Sequence, residues 1–161
     1  MAFNKTQIIE LLCKKIEDDL TSARQAATAS HLAATGPESK AENQYDTRGL
    51  EASYLAGAQA KRAAELEDIL FACKHLPHTI FVANAPIALG ALIHLEHGQR
   101  SQWVLLVARG AGISLTIEDK TVQTITTTSP LGETLIGLKQ NDLCEVEQGN
   151  TTRTYKILSI E

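Results

Sequence analysis

The sequence predicts an α+β chain in two parts: an N-terminal antiparallel coiled-coil helical hairpin over residues 1–76 and an antiparallel β domain with one short helix over residues 77–161. Three observations predict it. Ala, the best helix former, clusters at Ala23, Ala26, Ala27, Ala29, Ala33 and Ala34 and again at Ala56, Ala58, Ala60, Ala63 and Ala64, whereas Pro, the worst, occurs only at Pro37 before Pro77. Apolar residues recur at spacings of three and four as far as Leu76. Beyond Pro77 the pattern changes to β-branched runs separated by turns that contain glycine.

Asn4 is a plausible N-cap, and after it Ile8, Ile9, Leu12, Ile16, Leu20, Ala23 and Ala27 line one helical stripe. Gly36-Pro37 stops that helix, since glycine accepts the left-handed cap and proline cannot continue the helix. A second helix is expected from Glu38 to Lys74, with Leu55, Ala58, Arg62, Leu66, Ile69 and Cys73 inward, ending at Leu76-Pro77. Two arms of about 30 residues at about 1.5 Å each reach roughly 45 Å. Toward the turn their seam is Ala, Ser30, Ser53 and Gly57 rather than Leu. That end buries little apolar surface and is the weakly held end of the hairpin.

In the second part, Ala88–Leu95 and Gln102–Ala108 flank a turn at Glu96-His97-Gly98-Gln99 and read as a strand hairpin. Gly110-Ala111-Gly112 is a further turn, and Thr121–Thr126 is the best strand in the stretch 113–128. Ser129-Pro130 is an N-cap followed by proline at the first helical position, opening a helix over Leu131–Ile136 that Gly137 closes. Strands over Leu143–Glu147 and Thr151–Ile160 flank Gln148-Gly149-Asn150.

Composition narrows the function classes. A chain of 161 residues that is 43% hydrophobic and 21% charged argues against disorder or a disulfide-stapled miniprotein. No run approaches the roughly 18 apolar residues of a membrane span, and the N-terminus has no signal core, so a cytoplasmic protein is expected. A net charge of −4 disfavours direct binding to a phosphate backbone. Cys13, Cys73 and Cys144 are odd in number and widely spaced, which suits reduced thiols.

There is no Gly-rich phosphate loop, no Gly-x-Ser-x-Gly and no His-Glu-x-x-His. Cys73, His75 and His78 could supply three metal ligands, but the stretch straddles a helix end and offers no fourth, so ordinary histidines are expected there, as at His94 and His97. Glu38, Glu42 and Asp46 are spaced by four, on one face near the start of the second helix. Such carboxylates complement the helix dipole. They are also what a divalent-metal site on another molecule would need, because Mg²⁺ takes one or two carboxylates together with phosphates.

Ala41-Glu42-Asn43-Gln44-Tyr45-Asp46, followed by the Ala-Glu-Leu-Glu run around Leu66, resembles the tip and descending helix of the Gre transcript-cleavage factors of bacterial RNA polymerase, with their Ser-Glu-Asn-x-x-Tyr motif. Ser129-Pro130-Leu131-Gly132, Leu135-Ile136-Gly137, Asn141-Asp142 and Thr154-Tyr155-Lys156-Ile157 resemble that family's C-terminal signature. The matches lie in the family's order and cover most of the length. The resemblance implies an FKBP-like C-terminal domain that docks on RNA polymerase, with Ser129, Pro130 and Leu131 at the docking surface. It implies a hairpin that enters the secondary channel, where Glu42, supported by Glu38 or Asp46, assists the Mg²⁺ of the polymerase active site in cleaving backtracked RNA. Ser39, Asn43 and Tyr45 would shape the tip.

On that resemblance the chain binds no cofactor or metal stably, is not itself an enzyme, and meets RNA and DNA only through the polymerase. The family carries Asp three residues before the motif Glu, where this chain has Ser39. A channel-binding regulator that does not stimulate cleavage is therefore the alternative, with a generic coiled-coil adaptor as a third. A prolyl isomerase of FKBP type would need an aromatic pocket, and only Phe81, Trp103 and Tyr155 are aromatic in that half.

Overall fold

The structure is a computed structural model that describes residues 4–37, 40, 45, 47–82 and 84–161. Its elements run α1 (Lys5–Thr35), α2 (Arg48–Lys74), β1 (Leu92–His97), β2 (Arg100–Val107), β3 (Ser114–Ile117), β4 (Lys120–Thr126), α3 (Pro130–Leu135), β5 (Leu143–Gln148) and β6 (Thr151–Ile160). The chain divides into two units, Cys13–Phe71 and Met1–Leu12 with Ala72–Glu161. Both long helices thus contribute their bases to the unit that holds the sheet.

The 31-residue α1 buries the stripe its spacing predicts: Ile8, Ile9, Leu12, Ile16, Leu20 and Ala23 are buried, with Ala27, Ser30 and Ala34 half-buried beyond them. Ile9, Ile16, Ala23 and Ser30 recur every seven residues, the repeat of a coiled-coil seam. In α2 the inward positions are Ala52, Ala56, Gln59, Ala63, Leu66, Leu70 and Cys73, again alternating steps of four and three. Arg24 on α1 donates to the Glu67 carboxylate on α2 at 2.7 Å.

Two expectations for the second helix are corrected here. It begins at Arg48 rather than Glu38: Pro37, Lys40, Tyr45 and Thr47 are not α-helical, and the first helical backbone bond runs from Glu51 N–H to Thr47 C=O. Leu55, Ala58 and Arg62 are exposed, not inward. Stepping back from Leu66 by four and four again rotates the stripe by about 80°, whereas a seam of period 3.5 steps back by three to Ala63 and four to Gln59.

The other unit is a six-stranded sheet in the order β3-β4-β2-β1-β6-β5. Four of its pairings are antiparallel as expected, but β2 and β4 run parallel, Trp103 opposite Val122 through Val107 opposite Thr126. Buried Thr124 explains how the chain makes that crossing. Its hydroxyl donates to Gly110 C=O and accepts from Ile113 N–H, and its backbone bonds Gly112 and Ile113, so the 110–113 turn that leads into β3 is tied across to β4. β3 therefore lies outside β4 as the edge strand.

β1 starts at Leu92 rather than Ala88, because Gly90 turns the chain with φ 85° first. A Cβ there would stand 2.5 Å from the Pro77 carbonyl oxygen, so only glycine permits that approach. The β1–β2 and β5–β6 hairpins close as expected over Gly98-Gln99 and Gly149-Asn150. One face of the sheet presents Ile93, Leu95, Val104, Leu106, Val146 and Ile157 to Ile87 and to Leu135 of α3, and this is the core of the unit.

Candidate functional site

The Ser129-Pro130-Leu131-Gly132 segment is a rigid corner between β4 and α3. Ser129 takes an extended N-cap conformation, its Oγ accepts from Gly132 N–H at 3.1 Å, and the same hydroxyl donates to Thr126 C=O at 2.7 Å. Pro130 occupies the first helical position, where its missing N–H costs nothing. Glu133 complements the N-terminal end of the short helix. Gly137, with φ 83°, closes it, and its N–H donates to Ile87 C=O at 2.9 Å.

The corner presents two kinds of side chain. Gly132 and Leu135 are buried and anchor α3, Leu131 is half-buried, and Pro130, Glu133, Thr134 and Ile136 face solvent. Ile136, at 47% exposure, is a large apolar side chain held outward beside Pro130's helix. Of the three residues for which the resemblance implies a docking role, Pro130 and Leu131 have surface to offer. Ser129 spends its hydroxyl inside the corner.

Glu38, Ser39, Glu42, Asn43 and Asp46 lie outside the described residues. Tyr45 is described: it sits in a turn and is 82% exposed. Flanking these positions, Gly36 N–H caps α1 through Leu32 C=O at 2.9 Å, and the Thr47 hydroxyl donates to the Glu51 carboxylate at 2.8 Å at the start of α2. The first cap marks the end of α1 and the second the start of α2.

No group of three His, Cys, Asp or Glu that could hold a metal occurs among the described residues, and Cys73, His75 and His78 form no such group. His97 instead donates from Nδ1 to Thr154 C=O at 2.8 Å and leans on Tyr155. Cys144 is buried and bonded to the Thr134 hydroxyl at 3.1 Å; burial pushes its thiol pKa up, against that bond. Among the described residues, no helix is long and apolar enough to cross a membrane.

One arrangement is absent from the sequence reading. His94 and Trp103, opposite each other on β1 and β2, stack face to face with centroids 4.3 Å apart and planes 2° apart, and Lys120 Nζ lies 6.0 Å from the Trp103 ring centre. The signal available was alternation: both residues fall on the sheet face opposite the Ile93 and Val104 core.

Residues 83–161 match the family model described as transcription elongation factor, GreA/GreB, C-terminal. No curated protein sequence matches. Among solved structures, GreA factor homolog 1 (Gfh1) of Thermus thermophilus is similar at 20% identity, covering 92% of this chain and 94% of that one with a TM-score of 0.37. Thermus aquaticus Gfh1 is similar at 18% identity, over 97% and 93%, with a TM-score of 0.39. A GreA/GreB elongation factor from Nitrosomonas europaea is similar at 13% identity, over 59% and 78%, with a TM-score of 0.37.

Proposed function

This chain belongs to the GreA/GreB family of transcription elongation factors through its C-terminal half, residues 83–161, and we propose that it binds RNA polymerase, docking with the β domain and entering the secondary channel with the α1–α2 arm. The observation that carries the reading is the joining of that family domain to two helices of 31 and 27 residues whose seam changes from Ile and Leu to Ala toward Gly36. A thin, small-residue seam makes a slender arm that fits a confined channel. Its low apolar burial would be a poor choice for a structural bundle. Docking is assigned to the outward side of the α3 corner, at Pro130, Leu131 and Ile136.

The chemistry proposed at the arm's end belongs to the polymerase. Glu42, with Glu38 or Asp46, would supply a carboxylate to Mg²⁺ in the polymerase active site, where the metal stabilises the attacking and leaving oxygens of RNA hydrolysis. The chain itself would contribute no active site and hold no metal, and it would meet RNA only inside the complex.

Ser39 favours a second reading. It stands where the family has a second tip carboxylate, and an Mg²⁺ site short of one ligand is weakened because its octahedral demands are strict. The chain would then occupy the channel and modulate the enzyme without stimulating cleavage. A backtracked elongation complex with Mg²⁺ tests both. Faster release of short 3′ RNA fragments that is lost in Glu42→Ala, with binding retained, supports the first reading. Binding with an unchanged cleavage rate supports the second, and no binding at micromolar concentration sinks both.

A further inference from the structure

The outer section of the arm carries no charge. Residues 14–24 of α1 hold six Asp, Glu, Lys or Arg side chains, whereas residues 25–35, an equally long stretch, hold none. On α2, residues 61–69 hold five and residues 52–60 none. Counted outward from the Arg24–Glu67 ion pair at about 1.5 Å per residue, Leu32 lies about 12 Å and Leu50 about 26 Å along the arm.

The same section exposes large apolar side chains on opposite sides. Leu32 and Tyr54 are 64% and 72% exposed, and Leu50 and Leu55 are exposed with them. Helix formation does not call for these residues, since Ala, Lys or Glu serves an outward position as well and Tyr serves it worse. Leu32 stands two positions after the inward Ser30, Tyr54 two before Ala56 and Leu50 two before Ala52, each about 200° round its helix from the seam. Leu32 therefore faces away from α2, while Tyr54 and Leu50 face away from α1; Leu55, next to Ala56, lies on a flank. A shallow groove of about 390 Å³ runs along α1 from Arg24 past Thr28 and Ala29 to Leu32, room for a partner's side chain.

We infer that the outer section is gripped on both sides by an uncharged, apolar collar in the channel that receives the arm, with Leu32 against one wall and Tyr54 and Leu50 against the wall opposite. A flat docking surface or a two-fold pairing with a second copy covers one side of the arm and leaves the other in water. A partner that surrounds the arm desolvates both, and exposed apolar groups on both sides are what such a partner rewards. Absence of charge fits the same occupant, because any Lys, Arg, Asp or Glu enclosed at this level would lose its water without an ion partner. The inference rests on the elongation reading and adds to it where on the arm the binding energy lies.

Fluorescence anisotropy of the labelled full chain, titrated with core RNA polymerase, tests it. Leu32→Glu and Tyr54→Glu should each weaken binding about tenfold or more, because each sets a charge against an apolar wall. Both positions are exposed and Glu is a good helix former, so the helices are retained, and an unchanged circular dichroism spectrum verifies this. A parent chain that does not bind overturns the elongation reading and the collar with it. A parent that binds while both variants bind equally well overturns the collar alone, and a loss in only one variant overturns its two-sidedness. Sedimentation of the free chain supplies the remaining outcome: variants that turn a dimer into a monomer without changing polymerase affinity would make a second copy the occupant and overturn the collar.

Discussion

A Cβ placed on Gly132 would stand 1.9 Å from the carbonyl oxygen of Thr126. That oxygen also accepts from the Ser129 hydroxyl and from Ser129 N–H, so it is pinned where it is and cannot retreat. The first turn of α3 is thereby pressed against the end of β4 at backbone distance. Gly132→Ala should cost about 3 kcal/mol or more, since backbone rather than a mobile side chain must shift. Urea denaturation measures it, and a midpoint within error of the parent would show that the corner can open.

Ser129 makes the same corner from the other side. Its hydroxyl both caps Gly132 N–H and satisfies Thr126 C=O, so Ser129→Ala should lose about 1 kcal/mol, as cap deletions do. In a chain of this size that lowers Tm by about 3 °C. Ser129→Asp retains an acceptor at the cap and should recover most of the loss. If Asp is no better than Ala, the bond to Thr126 rather than the cap holds the corner.

This corner was legible in the sequence because every residue in it acts locally: a capping hydroxyl, a proline at the first helical position and a glycine at the close each leave a mark at fixed spacing. Both hairpin turns were legible for the same reason. The parallel pairing of β2 with β4 was not, because it depends on one threonine, Thr124, bonding back to Gly110 fourteen residues earlier. The inner face of α2 is not legible either, because Ala and Gln59 occupy the seam while Leu55 is 53% exposed, reversing the usual link between size and burial. His94 and Trp103 meet only once the register is known, so nothing in their separation of nine positions announces a stack.

The three thiols should react in an order set by burial. Cys73 and Cys144 are 1% and 2% exposed, and the Cys144 pKa is raised by that burial. Cys13 is only half-buried. Only the thiolate attacks, so alkylation at about pH 8 should label Cys13 first, with Cys73 and Cys144 protected until denaturant is added. Peptide mapping by mass spectrometry reads the order. Early labelling of Cys144 would mean that α3 lifts from β5 in the native state.

The His94 stack makes stability depend on pH in a stated direction. The His94 pKa lies below its ordinary 6.5 because burial and Lys120 on β4 both oppose its charge, more than Glu96 on β1 and Glu161 at the chain end favour it. The unfolded chain therefore binds a proton at a higher pH than the folded one. In the window just below about pH 6.5 the unfolded state holds more protons, so stability falls as the pH is lowered through it and is fully present above it. The His94→Phe chain keeps a ring against Trp103 and has nothing to titrate. Its urea midpoint, followed by the emission of the chain's only tryptophan, should drop less between about pH 7.5 and 5.5 than the parent's. Equal drops in the two chains would place the acid sensitivity on other groups and leave the stack indifferent to the proton.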